Sequence, residues 1–223
     1  MFDRVRKAIK FRLHRFWMMR LPVSARFQKI YRDRHWGGSS SESASGLGSS
    51  FQATEAIRAE LPLLVQKFGI RKLLDLGCGD FNWMKHVELP VPYIGADIVS
   101  EVIENNRRLY GNDAIDFMVL DGIKDPIPED VDAILCREVL FHLSFEHALA
   151  LLANVKASNA RYLIATQIDS QTENQDTFTG GFRPLDLRKA PFGFPEPLLV
   201  IPDDRVSANR SLCLWQLSDI SDG

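Results

Sequence analysis

Three carboxylates, Asp75, Asp97 and Asp121, and two glycines, Gly77 and Gly79, have the residue types and spacing of a ligand site. Asp75 precedes Gly77 by two residues in DLGCGD, Asp97 follows twenty residues after Gly77 in IGAD, and Asp121 comes before Gly122 in FMVLDG. Glycines in a strand-to-helix turn permit backbone angles that other residues avoid, and they let a ligand approach without a Cβ clash. A carboxylate closing the second strand of such a sheet is where a ribose diol finds an acceptor. Acids at three neighbouring strand ends form a negative rim. That rim suits poorly a pyrophosphate and well a ligand with an amine, a ribose and a cationic sulfur.

A second group, CREVLFHLS, places Cys136, Arg137, Glu138 and His142 at the end of the fourth strand, beside the same ligand. Glu138 or His142 could take a proton from an acceptor hydroxyl, and Arg137 could hold an anionic acceptor. The plainer readings are that Arg137 and Glu138 pair with each other or with the N-terminal arm, and that His142 is a structural hydrogen-bonder. Cys136 and Cys78 read as small buried thiols, with Cys136 next to the ligand. Further on, GGFRPLDLRKAPFGFPEP offers Arg183, Asp186 and Phe192 as an acceptor wall; otherwise it covers the sheet where a helix is lacking. Trp83 packs either on the ligand or in the core.

These residues need a scaffold of short strands to position them. Strands are predicted at Arg71–Leu76, Tyr93–Ile98, Ala114–Leu120, Val131–Cys136 and Arg161–Gln167. Between them lie a short helix near Asn82–Val87 and longer ones at Ser100–Tyr110 and Phe145–Val155, the last capped by Ser144. A helix with a stripe from Phe51 to Phe68, bent near Pro62 and stopped at Gly69, comes before them. This alternation predicts an α/β, Rossmann-like, mostly parallel sheet with helices on both faces. Leu198–Ile201 and Ser211–Leu217 predict an antiparallel C-terminal edge. Residues Ser170–Pro197 carry no helical pattern and predict a long loop.

A chain of 223 residues, 45% hydrophobic and 25% charged, is long enough for one globular domain with its own core. Three cysteines without CxxC spacing argue against a disulfide framework and a zinc site, name no metal ligands, and point to a cytoplasmic setting. No run is apolar enough to span a membrane. The net charge of −2 is unevenly spread: Met1 to Trp36 holds eleven Lys/Arg against Asp3 and Asp33. There Phe2, Val5, Ile9, Leu13, Phe16 and Trp17 fall at helical spacing. The helix either packs on the domain or lies on an anionic membrane surface, and an Arg-rich transit peptide is a further reading. The organisation expected is a basic amphipathic arm over 1–36, a Gly/Ser-rich loop over 37–50 and the catalytic domain over 51–223.

LLDLGCGD, IGAD, VLDG and DAILCREVLFHLS, in that order from about Phe51 to Gln167, resemble the successive motifs of the class I S-adenosylmethionine-dependent methyltransferases. The resemblance implies that Asp75, Gly77 and Gly79 surround the methionine part and sugar. It also implies that Asp97 binds the ribose hydroxyls, and that Asp121 and Gly122 lie near the adenine. The chain departs from the pattern at the third glycine of the turn, where Phe81 and Asn82 stand. The implied activity is methyl transfer to an unidentified acceptor, a small molecule or sugar-type hydroxyl. An NAD-dependent oxidoreductase would share the turn and Asp97 but is disfavoured by Asp75, Asp121 and the missing glycine. A non-catalytic S-adenosylmethionine-binding scaffold is the third alternative. Nucleic acid is disfavoured as a substrate, because the chain after Trp36 is acidic and would repel a phosphate backbone.

Overall fold

The computed structural model describes residues 16–37, 42–169 and 172–221. Most of the stripe expected from Phe2 to Leu21 lies outside these residues. Residues 16–20 are helical, and after Leu21–Pro22 the chain enters α1 (Val23–Arg32). Then follow α2 (Glu55–Lys67), β1 (Leu73–Leu76), β2 (Tyr93–Asp97), α3 (Ser100–Tyr110), β3 (Ile115–Val119), β4 (Ala133–Cys136), α4 (Phe145–Lys156), β5 (Tyr162–Ile168), β6 (Leu199–Pro202) and β7 (Arg210–Gln216).

The seven strands form one sheet in the order β3-β2-β1-β4-β5-β7-β6. The first five are parallel, while β7 runs antiparallel to both β5 and β6. The antiparallel pair is where the sequence puts it, but its C-terminal strand is the inner one. The burial of the two explains this order: β7 is apolar on both faces around Cys213–Trp215, whereas β6 leaves Val200 exposed and stands at the edge.

Each face of the sheet has its own core. On one side α2 buries Ile57, Leu61, Leu64 and Val65, joined by Ile103 of α3, Phe117 and Met84. On the other, α4 buries Ala148, Leu151, Leu152 and Val155 against Ile134, Leu163 and Trp215. Each fully buried aliphatic side chain contributes roughly 1.5–3 kcal/mol. Ser144 caps α4 by accepting the His147 N–H at 3.3 Å. The helix expected near Asn82–Val87 is a single 3₁₀ turn, Met84–His86.

No helix follows β5 among the described residues. Leu185, Leu187, Phe192 and Phe194 of the connecting segment cover the sheet instead, packed in the same core as α4. No helix of the described residues is long and apolar enough to cross a membrane.

Candidate active site

The strand order reverses between β1 and β4, which leaves a crevice beyond their carboxyl ends. The turn after β1 forms one wall. Gly77 has φ +87°, and a Cβ there would run into the Val139 side chain after β4. Gly79 has φ +59°, with the Tyr31 hydroxyl 2.8 Å from where its Cβ would be and Ser45 closer still. The place of the third glycine keeps a left-handed backbone, φ +57°, although Phe81 occupies it. Such a conformation costs a side-chain-bearing residue about 1–2 kcal/mol. The Phe81 ring offsets it by burying itself among Tyr93, Tyr110 and Phe117, with centroids 5.4, 5.2 and 5.0 Å away.

The crevice encloses roughly 750 Å³ of empty space, part of it open to solvent. Gly77, Asp97, Asp121, Gly122, Arg137, Glu138 and His142 line it. Asp97 is buried, accepting the backbone N–H of Val99 at 3.0 Å and of Gly79 at 3.1 Å. Burial pushes its pKa up to about 6, and no cation pairs with it among the described residues. Its remaining lone pairs suit hydroxyl donors such as a ribose diol. Asp121 accepts the Ile123 N–H at 3.1 Å, with Lys124 Nζ 3.8 Å away. Leu120, Ile123, Leu143 and Leu151 form apolar walls beside it that would take a flat base.

Three residues expected at the ligand stand behind it. Asp75 is buried under the turn, accepts the Tyr93 hydroxyl at 2.8 Å and is pushed up to about 7 by desolvation. Cys136 is fully buried, and its thiol pKa is raised by the same cause. Gly79 faces Ser45 and Tyr31, so its missing side chain makes room for this protein's own chain.

The arm and the Gly/Ser-rich loop supply walls that the motifs did not indicate. Val23, Phe27, Tyr31, Trp36, Ser45 and Ser49 all line the crevice. Asp80 ties the loop to the glycine turn. It accepts Ser43 Oγ at 2.9 Å, the Ala44 N–H at 2.7 Å and Ser45 Oγ at 3.0 Å, and its own N–H donates to Ser45 Oγ at 3.0 Å. Tyr31 Oη lies 2.9 Å from Ser45 Oγ. In sequence, Val23, Phe27 and Tyr31 recur every fourth residue after Pro22, a stripe masked by the stronger one before it. Asp80, an acid beside the second glycine, was the local sign of the tether.

Arg137 and Glu138 belong to a buried charge cluster. Arg137 Nη2 donates to the Gly48 carbonyl at 2.9 Å and to Asp203 Oδ1 at 3.0 Å, and lies 3.2 Å from Glu138 Oε1. Arg210 closes the set, 2.5 Å from Glu138 Oε1 and 3.1 Å from Asp203 Oδ1. Glu138 itself has φ +58°, its N–H held by Thr166 Oγ1 at 2.8 Å. This corrects two roles read from sequence. Glu138 Oε1 is already committed to the guanidinium groups of Arg137 and Arg210, and the charge of Arg137 is already balanced. Arg137 also reaches the Gly/Ser-rich loop rather than the arm, through the Gly48 carbonyl.

His142 is better placed for proton transfer. Its Nδ1 is 2.7 Å from the Gly181 carbonyl, which can only accept, so Nδ1 carries the proton and Nε2 is left with its lone pair. Burial lowers its pKa to about 4 and keeps the ring neutral. Trp36 stacks on it.

The expected acceptor wall is not in the crevice. Arg183 is buried beneath the 180s segment, donating Nη1 to the Leu143 carbonyl and stacking 4.7 Å over the Phe145 ring. Asp186 accepts Gln167 Nε2 at 2.6 Å, and Phe192 packs edge-on against Phe145. Both are buried. These three residues fasten the helix-free connection to the sheet. The physical reason is the absent helix, whose apolar and polar contacts they replace. Trp83 is likewise buried in the core, with Arg137 5.5 Å from its ring centroid.

Residues 74–164 match a family described as Methyltransferase domain. No curated protein matches the chain. Among solved structures the chain is similar to the mitomycin 7-O-methyltransferase MmcR, with a TM-score of 0.57 and 15% identity over 74% of this chain and 54% of that one. It is similar to human N-acetylserotonin methyltransferase in complex with SAM, with a TM-score of 0.58 and 16% identity over 88% and 60% of the two chains. The methyltransferase domain of bacterial CtHen1-CN gives a TM-score of 0.54 and 16% identity over 74% of this chain and 99% of that one. At such identities the likeness is one of fold, and it bears out the Rossmann-like, mostly parallel sheet. The chain spans little more than half the length of the first two proteins.

Proposed function

We propose, from the premise of a methyltransferase domain over residues 74–164, that this chain binds S-adenosylmethionine in the β1/β4 crevice and methylates a hydroxyl of a small molecule. The observation that carries the reading is Asp97: a buried, cation-free carboxylate in the crevice, with lone pairs to spare. Asp97 would hold the ribose diol, Asp121 and Gly122 would border the base, and Gly77 would leave room for the sugar. When bound, the cofactor supplies an electrophilic methyl group on a cationic sulfur.

The chain's own work is then to orient the acceptor, exclude water and accept one proton. His142 Nε2 takes that proton. The Trp36 and Tyr31 rings shield the site from solvent, which favours positioning over hydrolysis. A dinucleotide fits less well. The glycine turn faces Asp80 and two serines, where a pyrophosphate would meet a carboxylate.

Calorimetry with S-adenosylhomocysteine tests the reading. Tight binding is expected for the unaltered protein and its loss for Asp97→Ala, with folding retained. No heat with the unaltered protein ends the proposal. A mass increase of one methyl group in any acceptor separates an enzyme from a binding scaffold.

A second reading concerns place. Phe16, Trp17 and Met19 are 52%, 65% and 53% exposed just before α1, in an arm that is strongly basic from Met1 to Trp36. Such an arm suits an anionic membrane surface. Co-sedimentation with phosphatidylserine vesicles is expected, and failure to sediment at low salt would rule it out.

A further inference from the structure

The geometry points to a flat, uncharged aromatic alcohol as the acceptor, seated against the arm's rings; the inference rests on the methyl-transfer reading and narrows it. Beyond the Asp97 and Asp121 side, the crevice is lined by Val23, Phe27, Tyr31, Trp36, His142 and Leu143. The rings form one connected set. Trp36 lies 5.9 Å from both Phe27 and Tyr31, and it stacks on His142. Faces and edges at these spacings favour another ring over a chain of sp³ carbons.

Charge excludes the acidic alternatives. The one Lys or Arg lining the crevice among the described residues is Arg137, already balanced by Asp203 and Glu138. Asp97 and Asp121 add negative charge to the same space. A carboxylate or phosphate on the acceptor would enter with no partner and against repulsion.

Hydrogen-bonding capacity excludes a saccharide. Tyr31 Oη is engaged with Ser45, and Ser45 with Asp80. Ser45 Oγ gives its proton to Asp80, so Tyr31 donates to Ser45 and keeps only acceptor lone pairs; with Trp36 Nε1 and His142 Nε2, the six wall side chains offer one donor and two acceptor atoms. One hydroxyl can be satisfied there, whereas a sugar would bury several unpaired ones. The neutral, weakly basic imidazole also suits a phenol, whose proton leaves near pH 10, better than an aliphatic alcohol.

The test is a ligand series on the full chain, by calorimetry, with and without saturating S-adenosylhomocysteine. The probes are 2-naphthol and 5-hydroxyindole, the carboxylated analogue of each, and methyl β-glucopyranoside. The phenols are expected to bind, with the carboxylates and the glucoside weaker by on the order of 100-fold. Trp36→Ala should weaken the phenols about tenfold while leaving S-adenosylhomocysteine affinity within about threefold.

Equal or tighter binding of a carboxylate or the glucoside, no binding by either phenol, or phenol affinity indifferent to Trp36 overturns the inference. If the homocysteine compound gives no heat, the cofactor reading fails on its own, and the phenol series without it still decides the subsite. Should Trp36→Ala not fold, the series on the unaltered protein decides alone.

Discussion

Trp36 and His142 stack with ring centroids 4.4 Å apart and planes inclined by 24°. One residue ends the arm and the other follows β4, so the contact joins the two across the crevice wall. The His142 ring is fixed from its other edge by the Gly181 carbonyl, and its own carbonyl accepts the Gly180 N–H at 2.7 Å. Arm, β4 and the 180s segment thereby agree on one orientation of one imidazole. That orientation leaves the ring's lone pair on Nε2.

His142→Asn separates this chemistry from packing. The asparagine amide can still donate to the Gly181 carbonyl but has nothing at the place of Nε2. A drop in kcat of about 10²–10⁴-fold is expected, with S-adenosylhomocysteine affinity unchanged. Single-turnover measurement with a saturating acceptor checks it, and a loss of less than about threefold would remove His142 from the chemistry.

The pH dependence should divide between two residues. Burial favours protonated Asp97, so the ligand-free protein is stabilised below the ordinary aspartate range and loses that contribution as pH rises through about 6. Asp75, pushed to about 7, contributes with the same sign from behind the turn. A diol donating to Asp97 favours its carboxylate, so binding expels a proton. Affinity for S-adenosylhomocysteine should fall about tenfold per unit below pH 6 and level off above. His142 stays neutral down to about 4, so kcat at saturating cofactor should show no acid limb between pH 8 and 5. Calorimetry across pH, paired with saturated rates, separates the two.

Asp80 should matter more than its place beside the motif suggests. It holds Ser43, Ala44 and Ser45 against the turn, and through Ser45 it holds Tyr31 of α1. Hydrogen bonds to a charged group contribute about 1.5–3 kcal/mol each at most. Asp80→Ala should therefore lower stability by about 2 kcal/mol and weaken cofactor binding at least tenfold. Urea unfolding followed by calorimetry reads both. Unchanged binding would mean the loop does not shape the site.

The sheet and its glycine turn were legible because their signals are local. Short apolar runs lead to Asp75, Asp97 and Cys136, and the ligand site of such a sheet follows from its topology. The antiparallel partner strands were legible for the same reason. The roof was not. Tyr31, Ser45 and Asp80 meet across 14 to 35 residues, and no local pattern specifies that meeting. Arg183 misled because an arginine on a glycine-rich segment looks available, while its burial on Phe145 depends on a helix the chain lacks. Glu138 misled because Arg210, with which it pairs, and Asp203, which shares both arginines with it, lie on the far hairpin.

That hairpin gives the sharpest test of which groups near β4 are structural. Arg137, Glu138, Asp203 and Arg210 alternate in charge, and each acid touches both bases. Removing one member leaves the others buried and unbalanced, which costs about 3–5 kcal/mol. Asp203→Ala should lose that much stability. Glu138→Gln keeps the shape but not the charge, so it should lower the unfolding midpoint while reducing kcat less than tenfold in the folded fraction. Gly48→Ala should act in the same direction without removing any charge. Its new Cβ would sit on the Glu138 carboxylate, which cannot move aside without leaving the two arginines. Chemical unfolding and single-turnover rates on the three variants measure this. A rate loss for Glu138→Gln as large as that for His142→Asn would make the carboxylate, rather than the imidazole, the proton acceptor.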